Sequence, residues 1–145
     1  MTDHEWLLAA VELSRQCPPS ATAFAVGAIV LDTAGRELSR GYSREDDPLV
    51  HAEESALTKL ADTTVDLGGV TVYSSLEPCG ERRSRPKTCV ELILAAGAAR
   101  VVYAMREPTV FVEGTGAELL ERAGVEVVEL ADLAHLVREV NAHLL

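Results

Sequence analysis

Apolar positions follow a helical spacing at both ends of the chain and a strand-like spacing between them. Thr2-x-x-Glu5 reads as a capping box opening a helix to about residue 15, with Trp6, Leu7, Ala10, Val11 and Ser14 as its inward stripe. Pro18-Pro19 stops it. Residues 24–31 form an apolar run of strand length. Asp32-Thr33-Ala34-Gly35 supplies a turn, and residues 37–42 return as the second strand of a hairpin. A polar loop, 43–48, leads into a helix predicted over 51–61, with Ala52, Ala56, Leu57 and Leu60 inward. Gly68-Gly69 precedes a third strand, 70–76, and Pro78 suits the first turn of a helix. A further helix over 88–96 has Gly97 as its cap. Strand 100–104, helix 116–123 ending at Gly124, strand 125–130 and a closing helix over 132–144 complete the pattern.

Strand, helix, strand at 100–130 is a βαβ unit, which makes its two strands parallel and the crossover right-handed. The expected whole is α/β: a five-stranded mixed sheet with the last two strands parallel and helices on both faces, three layers in one domain spanning residues 1–145. Gly114-Thr115-Gly116, just before a helix, reads as a tight loop.

Within that frame, the chemistry concentrates in His51-Ala52-Glu53, then Pro78-Cys79, then Cys89. One imidazole and two thiolates suit zinc, and three protein ligands leave the fourth position for water, the mark of a catalytic site. Cysteines near helix N-termini have lowered pKa values, which favours the thiolate that zinc requires. Glu53 is two residues from the proposed ligand and is the candidate proton carrier. Glu54 is rotated by about 100° along a helix, off the face shared by His51, and reads as a solvated or supporting carboxylate. Cys17, His4, His135 and His143 belong to no motif and are assigned to packing or surface.

These residues match the zinc deaminase signature His-x-Glu followed by Pro-Cys, with a longer gap between the two cysteines, filled by residues 80–88. The chain resembles the deaminase domain of the riboflavin-biosynthesis pyrimidine deaminases, within the cytidine deaminase-like superfamily. The resemblance runs through Val26-Gly27-Ala28, Leu76-Glu77-Pro78-Cys79, the join from Ala95 to Val102, and Glu107-Pro108-Thr109 with Val112, Gly114 and Gly116. It covers about residues 22–128. It implies a cytidine deaminase-like three-layer α/β/α fold, one zinc ion per chain held by His51, Cys79 and Cys89, and Glu53 as catalytic acid and base. It further implies a hydrolase that releases ammonia from a pyrimidine-type ring, a riboflavin-pathway diaminopyrimidine ribotide first of all. The alternative is a cytidine-like nucleoside or a specialised aminated heterocycle, and a zinc-stabilised binding domain without catalysis is a minor reading. Thr22-Ala23-Phe24 stands where the family has Pro-Asn-Pro, Ser43 where it has histidine, Gly80-Glu81 where it has Ser-His, and Thr109 where it has asparagine. Candidate substrate contacts are therefore Phe24, Ala23, Ser43 and Glu77.

Charge adds a second clue. The chain of 145 residues carries a net charge of −10, against broad nucleic-acid binding. Yet Arg82, Arg83, Arg85 and Lys87, four of its thirteen Lys and Arg residues, lie between the two cysteines. They are candidate contacts for a substrate phosphate, or else a solvated loop whose charges pair with nearby Glu81 or a partner subunit. Three cysteines, two of them assigned to zinc, fit a reducing compartment, and no stretch reaches the length of a membrane span. The expected setting is the cytoplasm, with a small-molecule heterocycle as partner, phosphorylated or not, and neither nucleic acid nor membrane. The resemblance also implies a homodimer and a separate reductase in the riboflavin pathway.

Overall fold

The structure is a computed structural model and describes residues 1–82, 86–108 and 115–145. Helix α1 (Asp3–Leu13) opens on the capping box, with Thr2 accepting from the Glu5 backbone and Glu5 accepting from Thr2. Strands β1 (Gly27–Leu31) and β2 (Glu37–Tyr42) form the antiparallel hairpin. Then follow α2 (Ala52–Thr58), β3 (Thr71–Leu76), α3 (Cys89–Ala96), β4 (Arg100–Met105), α4 (Gly116–Arg122), β5 (Glu126–Glu129) and α5 (Ala134–Val140).

One sheet runs in the order β2-β1-β3-β4-β5. β1 pairs antiparallel with β3, whereas β3–β4 and β4–β5 are parallel, so the expected mixed sheet with parallel last strands is what the chain forms. The alternation along each strand splits the core in two. Leu7, Val11, Ile29, Val102 and Val137 pack on the α1/α5 face. Val30, Val72, Ile93, Val101 and Leu120 pack on the α2/α3/α4 face. Among the described residues, no helix is long and apolar enough to cross a membrane.

Three elements differ from the sequence-based expectation. The first strand begins at Gly27 rather than residue 24, because side chains instead of a strand partner take the backbone groups before it: Asn141 binds both the N–H and the carbonyl of Ala25, and Ser43 accepts from Val26. The closing helix is broken. α5 stops at Val140, because the Asn141 amide donates to the Val137 carbonyl and to Ala25, competing with the helix ladder. Pro78 opens no helix. The Pro78 carbonyl packs against Gly116, where a Cβ would lie 1.8 Å from its oxygen, and the Cys79 carbonyl accepts from Val90 in the first turn of α3. Trp6 is half-buried but packs inward against the core, its ring tilted 35° to that of Tyr73 at 6.4 Å.

Gly41 brings α2 close to the sheet. A Cβ there would sit 2.6 Å from the Ala56 nitrogen and 2.8 Å from the Ala52 carbonyl oxygen, both backbone atoms. Gly41→Ala is expected to cost about 1–3 kcal/mol by overpacking. Its melting temperature falls by several degrees, measured calorimetrically. Since α2 carries Glu53 and follows His51, zinc content falls with it.

Candidate active site

The loop from Ser43 to Val50 delivers His51 to the N-cap of α2 in extended backbone, which places the imidazole at the helix mouth and Glu53 in its first turn. The Glu54 carboxylate accepts the His51 backbone N–H at 3.2 Å, so the pattern His51-x-x-Glu54 closes the helix start. Glu53 is 3 % exposed. Its carboxylate receives Ser74 from β3, whose hydroxyl lies 2.5 Å from Glu53 Oε1 and 2.7 Å from the Leu76 carbonyl oxygen. One hydroxyl proton with two acceptors in reach lets Ser74 donate to a charged Glu53, or accept from a protonated one while donating to Leu76.

Cys79 follows β3, and Cys89 is the first residue of α3, capped by Thr88. His51 Nδ1 lies 3.6 Å from Cys79 Sγ and 3.4 Å from Cys89 Sγ, and the three ligand atoms fall within 4.8 Å of one another. Tetrahedral zinc with ordinary Zn–N and Zn–S bonds requires N···S separations of about 3.6 Å, so the donor set fits the ion. The Cys89 backbone N–H, at the N-terminus of α3, donates to Cys79 Sγ at 3.3 Å. Cys79 is thus served by a helix N-terminus that is not its own.

The electrostatics favour a thiolate beside the imidazole. Hydrogen bonding from Cys89, opposed by burial and reinforced by His51, holds the Cys79 thiol down to about 4. The neighbouring Cys79 sulfur and burial push Cys89 well up, so the pair shares one ready negative charge. Burial works to lower the His51 pKa, but the bond to Cys79 and the charges of Glu53 and Cys79 outweigh it and raise the value.

A cavity of about 380 Å³ opens on this group, lined by Phe24, Ser43, His51, Glu53, Cys79 and Glu107 among others. It lies beyond the carboxyl ends of β3 and β4, where open α/β sheets bind ligands. Ala23 is exposed and Phe24 half-buried, and both line the cavity. Ser43 also lines it, yet its hydroxyl is bonded to the backbone of Val26. Glu77 is buried, and its two oxygens accept the backbone N–H groups of Glu107 (3.0 Å) and Ala117 (2.9 Å), so it joins the end of β4 to the start of α4.

The basic loop divides. The Arg82 side chain is only 2 % exposed and donates to the Leu49 carbonyl (2.6 Å) and to Glu54 (2.8 Å). It anchors the inter-cysteine loop to the turn before His51 instead of facing solvent. Lys87 is exposed and lies outside the cavity lining, and Arg83 and Arg85 lie outside the described residues, as do Thr109, Val112 and Gly114.

Two residues of the site escape motif reading, and a third, Glu107, is marked by the motif without a role. Ser74 sits in an apolar strand run with no pattern to mark it. Arg44 reads as a loop charge. Glu107 had a signal, an acid just past the end of a parallel strand. Burial, then the charges of Cys79, Glu53 and Glu77, push its carboxyl up to about 7, a value suited to exchanging protons or hydrogen bonds with a polar ring.

An imidazole and two thiols that leave one side open to a cavity, with a carboxylate at its floor, match the class of catalytic zinc sites. The chain belongs to the family of the cytidine and deoxycytidylate deaminase zinc-binding region, whose model matches residues 1–105. Within that family it is 39% identical over 127 residues to the diaminohydroxyphosphoribosylamino-pyrimidine deaminase of Schizosaccharomyces pombe, covering 86% of this chain and 31% of that protein. It superposes on the crystal structure of the diaminohydroxyphosphoribosylaminopyrimidine deaminase/5-amino-6-(5-phosphoribosylamino)uracil reductase of Thermotoga maritima with a TM-score of 0.83 and 29% identity, covering 95% of this chain and 38% of that one. It superposes equally well, with a TM-score of 0.83 and 26% identity, on the Rib2 deaminase of Aspergillus oryzae, covering 96% of this chain and 90% of that one. The chain spans about a third of the length of the curated relatives it matches.

Proposed function

We propose that the protein is a zinc-dependent hydrolytic deaminase whose substrate is a diaminopyrimidine ribotide. The observation that carries this reading is the buried carboxylate of Glu53 set beside the His51, Cys79 and Cys89 donors on the floor of one cavity. His51, Cys79 and Cys89 would hold the ion, which when bound would acidify a water for attack on the amino-bearing carbon. Glu53 takes the proton of that water and passes it to the adjacent ring nitrogen, then carries a proton to the departing amine, so that water and C–NH2 become C=O and ammonia. Ser74 steadies Glu53 in both protonation states. Glu107 faces the ring as a hydrogen-bond partner. A cavity of this size suits a molecule as large as a ribotide. The deaminase names of the relatives support the ring and the phosphoribosyl group.

A second reading is favoured by the way the nearby arginines are used. The guanidinium groups of Arg44 and Arg82 bind backbone carbonyls, and Arg82 also binds Glu54. An unphosphorylated aminated heterocycle needs no cation there. A panel of phosphorylated and unphosphorylated aminopyrimidines separates the two, read by ammonia release. The ribotide reading expects kcat/KM to fall by about 100-fold or more on removing the phosphate, the loss of a few charge-assisted hydrogen bonds. Turnover confined to unphosphorylated compounds overturns it in favour of the second.

A further inference from the structure

We propose that Arg44 is a positioning residue for substrate: its guanidinium clamps the segment 18–26 into a wall of the cavity and ties that wall to the turn that presents His51. The segment has no helix or strand, yet it supplies Thr22, Ala23, Phe24 and Val26 to the cavity lining. Backbone groups outside regular structure must find partners elsewhere, so such a wall is only as fixed as the side chains that hold it.

Arg44 holds it at two points six residues apart. Its Nε and Nη2 donate to the Pro18 carbonyl at 3.3 and 2.8 Å, and its Nη1 donates to the Phe24 carbonyl at 3.1 Å. A planar fork of fixed geometry can bridge two carbonyls in this way, whereas a lysine ammonium on a flexible stem cannot hold both in one plane. The Arg44 backbone N–H also donates to the Val50 carbonyl at 2.9 Å, closing the turn that ends at His51. One residue thus joins the wall to the metal side of the cavity.

The backbone at Arg44 supports this role. Its φ is 61°, and among the described residues it is the non-glycine position with positive φ. A residue with a Cβ is disfavoured there and persists only where its surroundings over-determine it, a situation that clusters at ligand sites. Glycine at this position would relax the backbone but lose the clamp. Arg44 lines the cavity as well, but three of its five N–H donors are committed to carbonyls, so it acts through the segment. Asn141 and His143 hold the same segment from the other side, at Ala25 and at the Ser20 carbonyl.

The consequence for substrate rests on the deaminase reading, and the test separates the two. The zinc-loaded full chain is compared with Arg44→Gly and Arg44→Lys by amide hydrogen exchange and by kinetics on the ribotide. Exchange at Ala25 and Val26 is expected to quicken about tenfold or more in both variants, with β3 and β4 unchanged. KM rises about tenfold or more while kcat stays within about threefold, the pattern of lost substrate positioning. The melting temperature of Arg44→Gly stays within a few degrees, since relief of the left-handed backbone offsets the lost bonds. Millimolar guanidinium ion lowers the KM of Arg44→Gly back towards that of the parent. A merely structural role would move the melting temperature and leave the KM of the folded protein alone. Unchanged exchange at Ala25 and Val26 overturns the clamp, and faster exchange with KM within twofold overturns its role in substrate positioning. If the parent protein releases no ammonia from any compound, the deaminase reading falls and takes the substrate role with it, while exchange still decides the clamp.

Discussion

Glu53→Gln is expected to leave a folded, zinc-loaded protein whose ammonia release is lower by about three orders of magnitude, within the range that loss of a general acid–base produces. Glutamine matches glutamate in shape, and Ser74 can still bond to its amide oxygen, so the buried pocket around position 53 stays satisfied. What disappears is the group proposed to take a proton from water and return it to the ring. Glu54→Gln is the informative companion. Glu54 caps His51 and holds Arg82, contacts that position ligands without moving protons. Its variant should lose zinc affinity by about 10–100-fold, as outer partners of metal ligands do, and recover most turnover when zinc is saturating. Ammonia release and metal content, measured on the same samples, check both. Activity of Glu53→Gln within tenfold of the parent would remove Glu53 from the mechanism.

Cys89→Ser should have the second large effect, on the metal itself. Cys89 is fully buried at the first position of α3, and its Sγ lies 3.4 Å from His51 Nδ1. Replacing a thiolate by a neutral hydroxyl removes one of the three proposed protein ligands. Zinc affinity should therefore fall by more than about 100-fold, beyond the loss of an outer partner, and turnover with it. The parent protein should itself bind zinc more weakly as pH falls. The sign follows from the ligands: the pKa values of Cys89 and His51 are both raised, so protons already compete for Cys89 in the alkaline range and for His51 as well when pH falls towards neutral and below. Cys79, held to about 4, adds little to that competition until the solution is acidic. Competition with a chelating dye across pH measures all of this. Zinc affinity in Cys89→Ser equal to that of the parent would show that the ion sits elsewhere.

Much of this arrangement is legible in the amino-acid sequence because it obeys local rules. The capping box at Thr2, the glycine at 97 in left-handed backbone with φ 81°, and the βαβ spacing of β4, α4 and β5 each have one physical solution. The residues of the zinc motif stand out for the same reason, since few other roles bring an imidazole, a carboxylate and two thiols into such spacing. What stayed hidden depends on contacts between distant segments. Arg82, a candidate phosphate contact in the sequence, has its side chain buried against Glu54 and Leu49, a pairing that no local pattern marks. Ser74 reaches Glu53 across 21 residues, and Asn141 reaches Ala25 across 116. Pro78 looked like a helix start because proline favours one, but the close approach of Gly116 to its carbonyl decides otherwise. No local pattern encodes those pairings.

The central claim is that this cavity converts a ring C–NH2 into C=O at zinc with Glu53 as proton carrier. The most direct measurement is simultaneous detection of ammonia and product when the zinc-loaded protein meets the diaminopyrimidine ribotide. The account predicts one ammonia per ribotide consumed and a product heavier by one mass unit, both slowed about a thousandfold in Glu53→Gln and lost in the chelated protein. Unchanged ribotide in the presence of a full complement of zinc, with no other aminopyrimidine turned over, would contradict it.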